Sequence, residues 1–266
     1  MELILGYRVF LFSYVPISVG GEKAFLKKYN MVKKHFFLLL SLAFISMAFS
    51  HGISENLCQE KPKTERKGEI SWSKWEDGSQ ATDGKILYEV KDGKLRFYTE
   101  AGTLQRPKVK TVNEDYSFGE YIWRIYIPTM GMNERVSIGA FIYRDDTHEI
   151  DFEIGSGTAE ARARCGAKDD EVLMYLTSQG NPWHQTVIPI KHECWYDFGM
   201  TISNRGDNKY RLVWTLDGKE VDFVNLDYGA ETHFAIFCSL ENLKFMGDYV
   251  STRDHVVVFD KVRFQK

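Results

Sequence analysis

The sequence predicts an all-β protein, an antiparallel β-sandwich, and three observations carry that prediction. From about residue 68 onward, runs rich in aromatic and β-branched residues recur with turn residues between them. No stretch of ten or more residues there carries a helical stripe. Two Asp-Gly pairs separate such runs, and Asp-Gly supplies the positive φ that tight hairpin turns demand. About a dozen strands result, and sheets of that many strands curl or split into two packed layers.

The chain begins with a segment of different character. Met31-Val32-Lys33-Lys34 is a short basic start, Phe36 to Phe49 is an apolar run broken only by Ser41 and Ser46, and Ala48-Phe49-Ser50 is a small-x-small exit. The apolar run is shorter than the ~20 residues a membrane-spanning helix needs, so a signal peptide over 31–50 is expected rather than an anchor. Residues 1–30 are too long and carry too many acids for a secretory n-region, so Met31 reads as the start of the leader. The expectation is a leader over 1–50, cleaved near Ser50, and a secreted or periplasmic protein with no membrane contact once mature. Residues 51–67, with Lys61-Pro62-Lys63-Thr64-Glu65-Arg66-Lys67, bury almost nothing and read as a polar tether. One domain then spans 68–266.

Within it, Ile86 to Val90 and Leu95 to Thr99 flank Asp92-Gly93 as one hairpin, and Tyr210 to Leu216 and Val221 to Val224 flank Asp217-Gly218 as another. The remaining expected strands are Gly119 to Ile127, Val136 to Tyr143, His148 to Ile154, Val172 to Thr177, Thr186 to Ile190, Trp195 to Ile202, Phe234 to Leu240 and Val256 to Phe264.

Without residues 1–50 the chain has 28 basic and 35 acidic residues, a net charge of −7. That balance argues against a phosphate backbone as partner, which needs clustered Lys and Arg. Cys58, Cys165, Cys194 and Cys238 show no zinc-ligand spacing, and export permits disulfides. Leu57 and Asn56 fit a lipidation site at Cys58 badly.

The segment that carries chemistry is Glu149-Ile150-Asp151-Phe152-Glu153-Ile154. Its parity is strict: one strand face is apolar, the other holds three acids with no cation among them. Like charges in a row repel, which raises at least one carboxyl pKa, as a general acid requires. At ~3.3 Å per residue, positions i and i+4 lie about 13 Å apart, and two inward-leaning Glu side chains bring their carboxyls to about 6 Å, close to the ~5–5.5 Å of a retaining glycosidase. Taken alone, the pattern also suits an exposed acidic stripe or a calcium ligand set.

With its neighbours, the motif resembles glycoside hydrolase family 16, whose signature is Glu, an aliphatic residue, Asp, a hydrophobic residue and Glu. Phe118-Gly119-Glu120-Tyr121-Ile122-Trp123-Arg124-Ile125 is similar to that family's strand with an inward arginine. Trp214-Thr215-Leu216-Asp217-Gly218-Lys219 resembles its tryptophan strand, and Phe259-Asp260-Lys261-Val262-Arg263-Phe264 its closing strand. The matches follow family order over about 145 residues. The resemblance implies a concanavalin A-like jelly roll and a monomer. It implies Glu149 as nucleophile, Glu153 as general acid then base, and Asp151 as the residue assisting the pair. The reaction would hydrolyse internal β-glycosidic bonds of a β-glucan-like polysaccharide with retention, needing no cofactor; a structural calcium on largely backbone ligands is common in the family. Phe141, Tyr143 and Arg124 match cleft positions, and Tyr175 and Trp183 are candidate sugar platforms. Two departures concern the substrate subsites: Thr147 stands where relatives have tryptophan, and Phe237-Cys238-Ser239-Leu240-Glu241-Asn242 lacks their Asn and Trp pair. His148, opposite in parity to the acids, reads as a structural neighbour. The alternative functions are a non-catalytic lectin-like jelly roll and, behind it, a calcium-supported adhesion domain.

Overall fold

The computed structural model describes residues 67–266, so the leader and almost all of the tether lie outside the described residues. Fourteen strands are present among the described residues: β1 (Trp75–Asp77), β2 (Tyr88–Lys91), β3 (Lys94–Thr99), β4 (Lys108–Thr111), β5 (Gly119–Ile127), β6 (Val136–Asp145), β7 (His148–Gly155), β8 (Glu171–Gln179), β9 (Trp183–Lys191), β10 (Cys194–Asn204), β11 (Lys209–Leu216), β12 (Lys219–Gly229), β13 (Ala235–Asn242) and β14 (His255–Gln265). They form two seven-stranded antiparallel sheets. The first has the order β1-β4-β13-β6-β7-β8-β9, the second β12-β11-β10-β5-β14-β3-β2.

The expected hairpins close where Asp-Gly stands, with positive φ at Asp92 and Gly93 (55° and 75°) and at Asp217 and Gly218 (50° and 78°). Gly119 to Ile127 is a strand from end to end as expected; the other expected strands are found with ends shifted by one to a few residues, β2 starting at Tyr88 instead of Ile86 and β13 at Ala235 instead of Phe234. Strand β9 begins at Trp183 instead of Thr186, which puts the tryptophan on the sheet. The sequence did not announce β1 or β4, both short and polar, nor the seven-residue helix α1 (Ala159–Cys165). That helix is set by local chemistry: Thr158 caps its start through Ala161 N, and Gly166 at φ 65° ends it. Arg162, buried, donates to the carbonyls of Ser156, Lys168 and Glu171 and pins the β7–β8 connection.

The core lies between the sheets. Ile150, Phe152 and Ile154 of β7 are fully buried, as the parity of the acidic segment demands, and Phe152 meets Phe198 of β10 edge-on at 5.3 Å. Trp123 of β5, also fully buried, donates its indole N–H to the Phe237 carbonyl of β13 at 3.1 Å. Both contacts cross the sandwich and fix the strands of the first sheet from behind. Cys194 is disulfide-bonded, whereas Cys165 and Cys238 are free. No helix among the described residues is long and apolar enough to cross a membrane.

Candidate active site

On its outer face the first sheet carries a cleft of about 920 Å³ that runs across the strands from Arg106 and Lys108 at the β4 side to Gln185 and Trp183 on β9. Glu149 and Glu153 line it from β7, an interior strand between β6 and β8, while Asp151 lies between them, 1% exposed. The alternation that buries Ile150 and Phe152 is what turns all three acids the other way.

Each acid has a distinct environment. Burial, then the charge of Glu241, pushes the Glu153 carboxyl up to about 8, while the Ser137 hydroxyl donates to Glu153 Oε2 and opposes that rise. Burial raises Glu149 to about 7, and its hydrogen bond with Asp151 pulls the other way. Asp151 is raised well above the usual carboxylate range by burial and then by the charges of Glu149 and Glu153. Gln179 Nε2 donates to Asp151 Oδ2 at 2.9 Å. The proton of the Asp151–Glu149 pair therefore resides on Asp151, which donates it to the Glu149 carboxylate. Near neutral pH Glu153 is mostly protonated, and Glu149 is the more readily ionised of the two glutamates on the strand.

Raised carboxyls also write a signature into stability. An unfolded chain holds Glu153 near 4.5, so between pH 4.5 and about 8 the folded state binds the extra proton. This contribution is fully present below pH 4.5 and is lost as the pH climbs through 8. We predict that Glu153→Gln, which cannot ionise, melts above the native protein at pH 8, with the gap shrinking toward pH 5. Thermal melts across that range check this, and a variant melting lower at pH 8 would contradict the protonated-acid assignment.

Of the other expected site residues, Phe141, Tyr143, Tyr175 and Trp183 all line the cleft. Phe141 stacks on Phe237 (4.7 Å, 10°), Tyr143 meets Phe237 edge-on, and Trp183 is 66% exposed, a free indole face at the β9 end. Arg124 is a correction. It lies on β5 of the second sheet, where inward Trp123 forces its neighbour outward; there it pairs with Asp197 (3.2 Å) and packs over Trp195, away from the cleft. His148 is not among the cleft residues; it binds Asp145 at 2.7 Å and meets Tyr228 edge-on. Thr147 sits in the β6–β7 turn, bonded to Asp145.

The sequence reading missed Phe237, Glu241, Lys108, Gln179 and Phe245, all cleft residues. For Phe237 and Glu241 a signal existed: residues 237, 239 and 241 share one parity, opposite to the buried Ile236, Cys238 and Leu240. Among the described residues no group of three or more His, Cys, Asp or Glu side chains is arranged to hold a metal ion.

No family model matches the chain, and no curated protein matches it. Solved structures do. A Bacillus licheniformis β-glucanase is 15% identical, with a TM-score of 0.53 over 77% of this chain and 95% of its own. The catalytic domain of an endo-1,3-β-glucanase (laminarinase) from Thermotoga petrophila RKU-1 is 12% identical, with a TM-score of 0.54 over 75% and 93%. A Crh5 transglycosylase, solved with NAG, is 13% identical, with a TM-score of 0.52 over 80% and 91%. At such identities it is the fold that is shared: this chain has the β-jelly-roll sandwich of glycoside hydrolase family 16.

Proposed function

We propose that the protein is a retaining endo-glycosidase that cuts a β-glucan-like polysaccharide laid across the first sheet. The observation that carries the reading is the placement of Glu149 and Glu153, four residues apart on one strand, in an open aromatic-lined cleft with a buried Asp151 between them. Glu149, ionised and holding a hydrogen bond from Asp151, attacks the anomeric carbon. Glu153, protonated, gives its proton to the departing glycosidic oxygen. Water then hydrolyses the glycosyl ester, with Glu153 taking the water's proton, and two inversions give net retention. No step calls for a cofactor. The β-glucan substrates of similarly folded enzymes support the substrate class, and the rings of Phe141, Tyr143, Tyr175 and Trp183 offer apolar faces to pyranose rings. Export, read from residues 31–50, would put the enzyme where such polymers lie, and a disulfide at Cys194 suits an oxidising compartment.

The test is incubation of the exported protein with a panel of β-1,3, β-1,3-1,4 and algal polysaccharides, reading reducing ends. Release from at least one polymer, absent in Glu149→Gln, supports the reading; binding without cleavage by the native protein would favour a lectin instead. Trp183→Ala is predicted to raise KM about tenfold, equivalent to ~1.4 kcal/mol of lost ring contact, with kcat changed less than twofold. A large fall in kcat with KM unmoved would show that Trp183 is no remote platform.

A further inference from the structure

We infer that the chain Arg106–Glu241–Lys108 belongs to the working part of the cleft, with Lys108 the positioning residue whose ammonium group sets the charge that the acid pair faces. The inference rests on the reading of Glu149 and Glu153 as that pair.

Strand register supplies the first argument. Lys108 pairs with Ser239, Ser239 with Gly139, and Gly139 with Glu153, so cation and acid stand in one cross-strand row. The two residues between them are small. A Cβ on Gly139 would come within 2.3 Å of Ser239 Oγ, so no side chain fits there to screen one charge from the other. In the neighbouring row Glu241 pairs with Ser137, whose hydroxyl donates to Glu153. The row of Lys110 is the contrast. Lys110, Phe237, Phe141 and Asp151 follow one another across the strands, the two phenyl rings stack, and Lys110 binds the outer acids Glu114 and Glu76.

Burial supplies the second. Glu241 is 3% exposed and accepts from Arg106 Nε at 2.6 Å and Lys108 Nζ at 2.9 Å; Lys108 is itself buried. Buried ions cost several kcal/mol each in lost hydration unless tightly paired, and their fields reach farther than those of surface ions. Two cations share one carboxylate on the cleft floor, and on Glu153 the charge of that carboxylate outweighs the charge of Lys108. The ionisable groups facing Glu149 and Glu153 there are Asp151 on their own strand, Tyr143 and Asp146 from β6 and its turn, Tyr175 from β8, Glu241 from β13, and Arg106, Lys108 and Lys110 at the β4 side. On both glutamates Lys108 favours the ionised form and Glu241 the protonated one.

The test uses Lys108→Met, Glu241→Gln and Lys108→Arg, with two readouts: the pH profile of kcat/KM, and titration of the Glu149 and Glu153 carboxyls by carbon-13 NMR. Lys108→Met should move both limbs of the profile, and both NMR titrations, up by about one pH unit, and Glu241→Gln should move them down, because one removes a cation and the other an anion. Lys108→Arg should restore the native profile. Folded variants whose activity falls while limbs and titrations stay in place would reduce the cluster to a structural clamp and overturn the inference, as would shifts of the same sign in Lys108→Met and Glu241→Gln. The NMR titration needs no substrate, so a native protein inactive on every polysaccharide would sink the glycosidase reading while the coupling of Lys108 to the glutamates is still decided.

Discussion

Replacing Glu149 with Gln is expected to lower kcat by at least about 10⁴-fold, and replacing Glu153 with Gln by about 10²–10⁴-fold, on any polysaccharide the native protein cuts. The two losses differ in kind. Glutamine at 149 keeps the shape but offers no anion to form the glycosyl ester, so every substrate suffers alike. Glutamine at 153 removes only the proton donor and later base, so an aryl glycoside with an acidic leaving group should lose far less in the first step than the natural polymer does. Measuring both variants on both substrates separates the roles. Equal losses of Glu153→Gln on the two substrates would argue against Glu153 as the acid, and unchanged activity in Glu149→Gln would remove the nucleophile assignment.

Trp123→Ala is expected to destabilise the fold by about 3–5 kcal/mol, the range for emptying a large aromatic site in a core. At about 2–4 °C per kcal/mol for a domain of this size, the melting temperature should fall by about 6–20 °C. Trp123 is fully buried, and its indole N–H is bonded to the Phe237 carbonyl of the opposite sheet, so the substitution opens a cavity and orphans a carbonyl behind the cleft floor. Trp123→Phe, which fills most of the space but cannot donate, should fall between. A melting temperature for Trp123→Ala within 2 °C of the native value would show that the two sheets are held by other contacts.

Legibility followed physical locality. The two hairpins and the acidic strand could be read because Asp-Gly turns and strict alternation are local rules that act within a few residues. Strand β4 could not: Lys108-Val109-Lys110-Thr111 is four residues with two lysines, and only pairing with distant β13 and with β1 makes a strand of it. The same is true of the site. Glu149, Asp151 and Glu153 were visible as a pattern, while Glu241 and Lys108 become cleft residues only through pairings across more than a hundred residues of sequence. Arg124 failed for a related reason, since resemblance along β5 marks the strand but parity decides the side, and buried Trp123 settles that parity against an inward arginine.

The most direct test is the configuration of the first sugar released, followed by proton NMR within minutes of adding enzyme to a β-glucan, before mutarotation mixes the anomers. Attack by Glu149 and then by water predicts that the β-anomer appears first and the α-anomer only later. If the α-anomer comes first, a single displacement by water has occurred, and no glycosyl ester forms on Glu149.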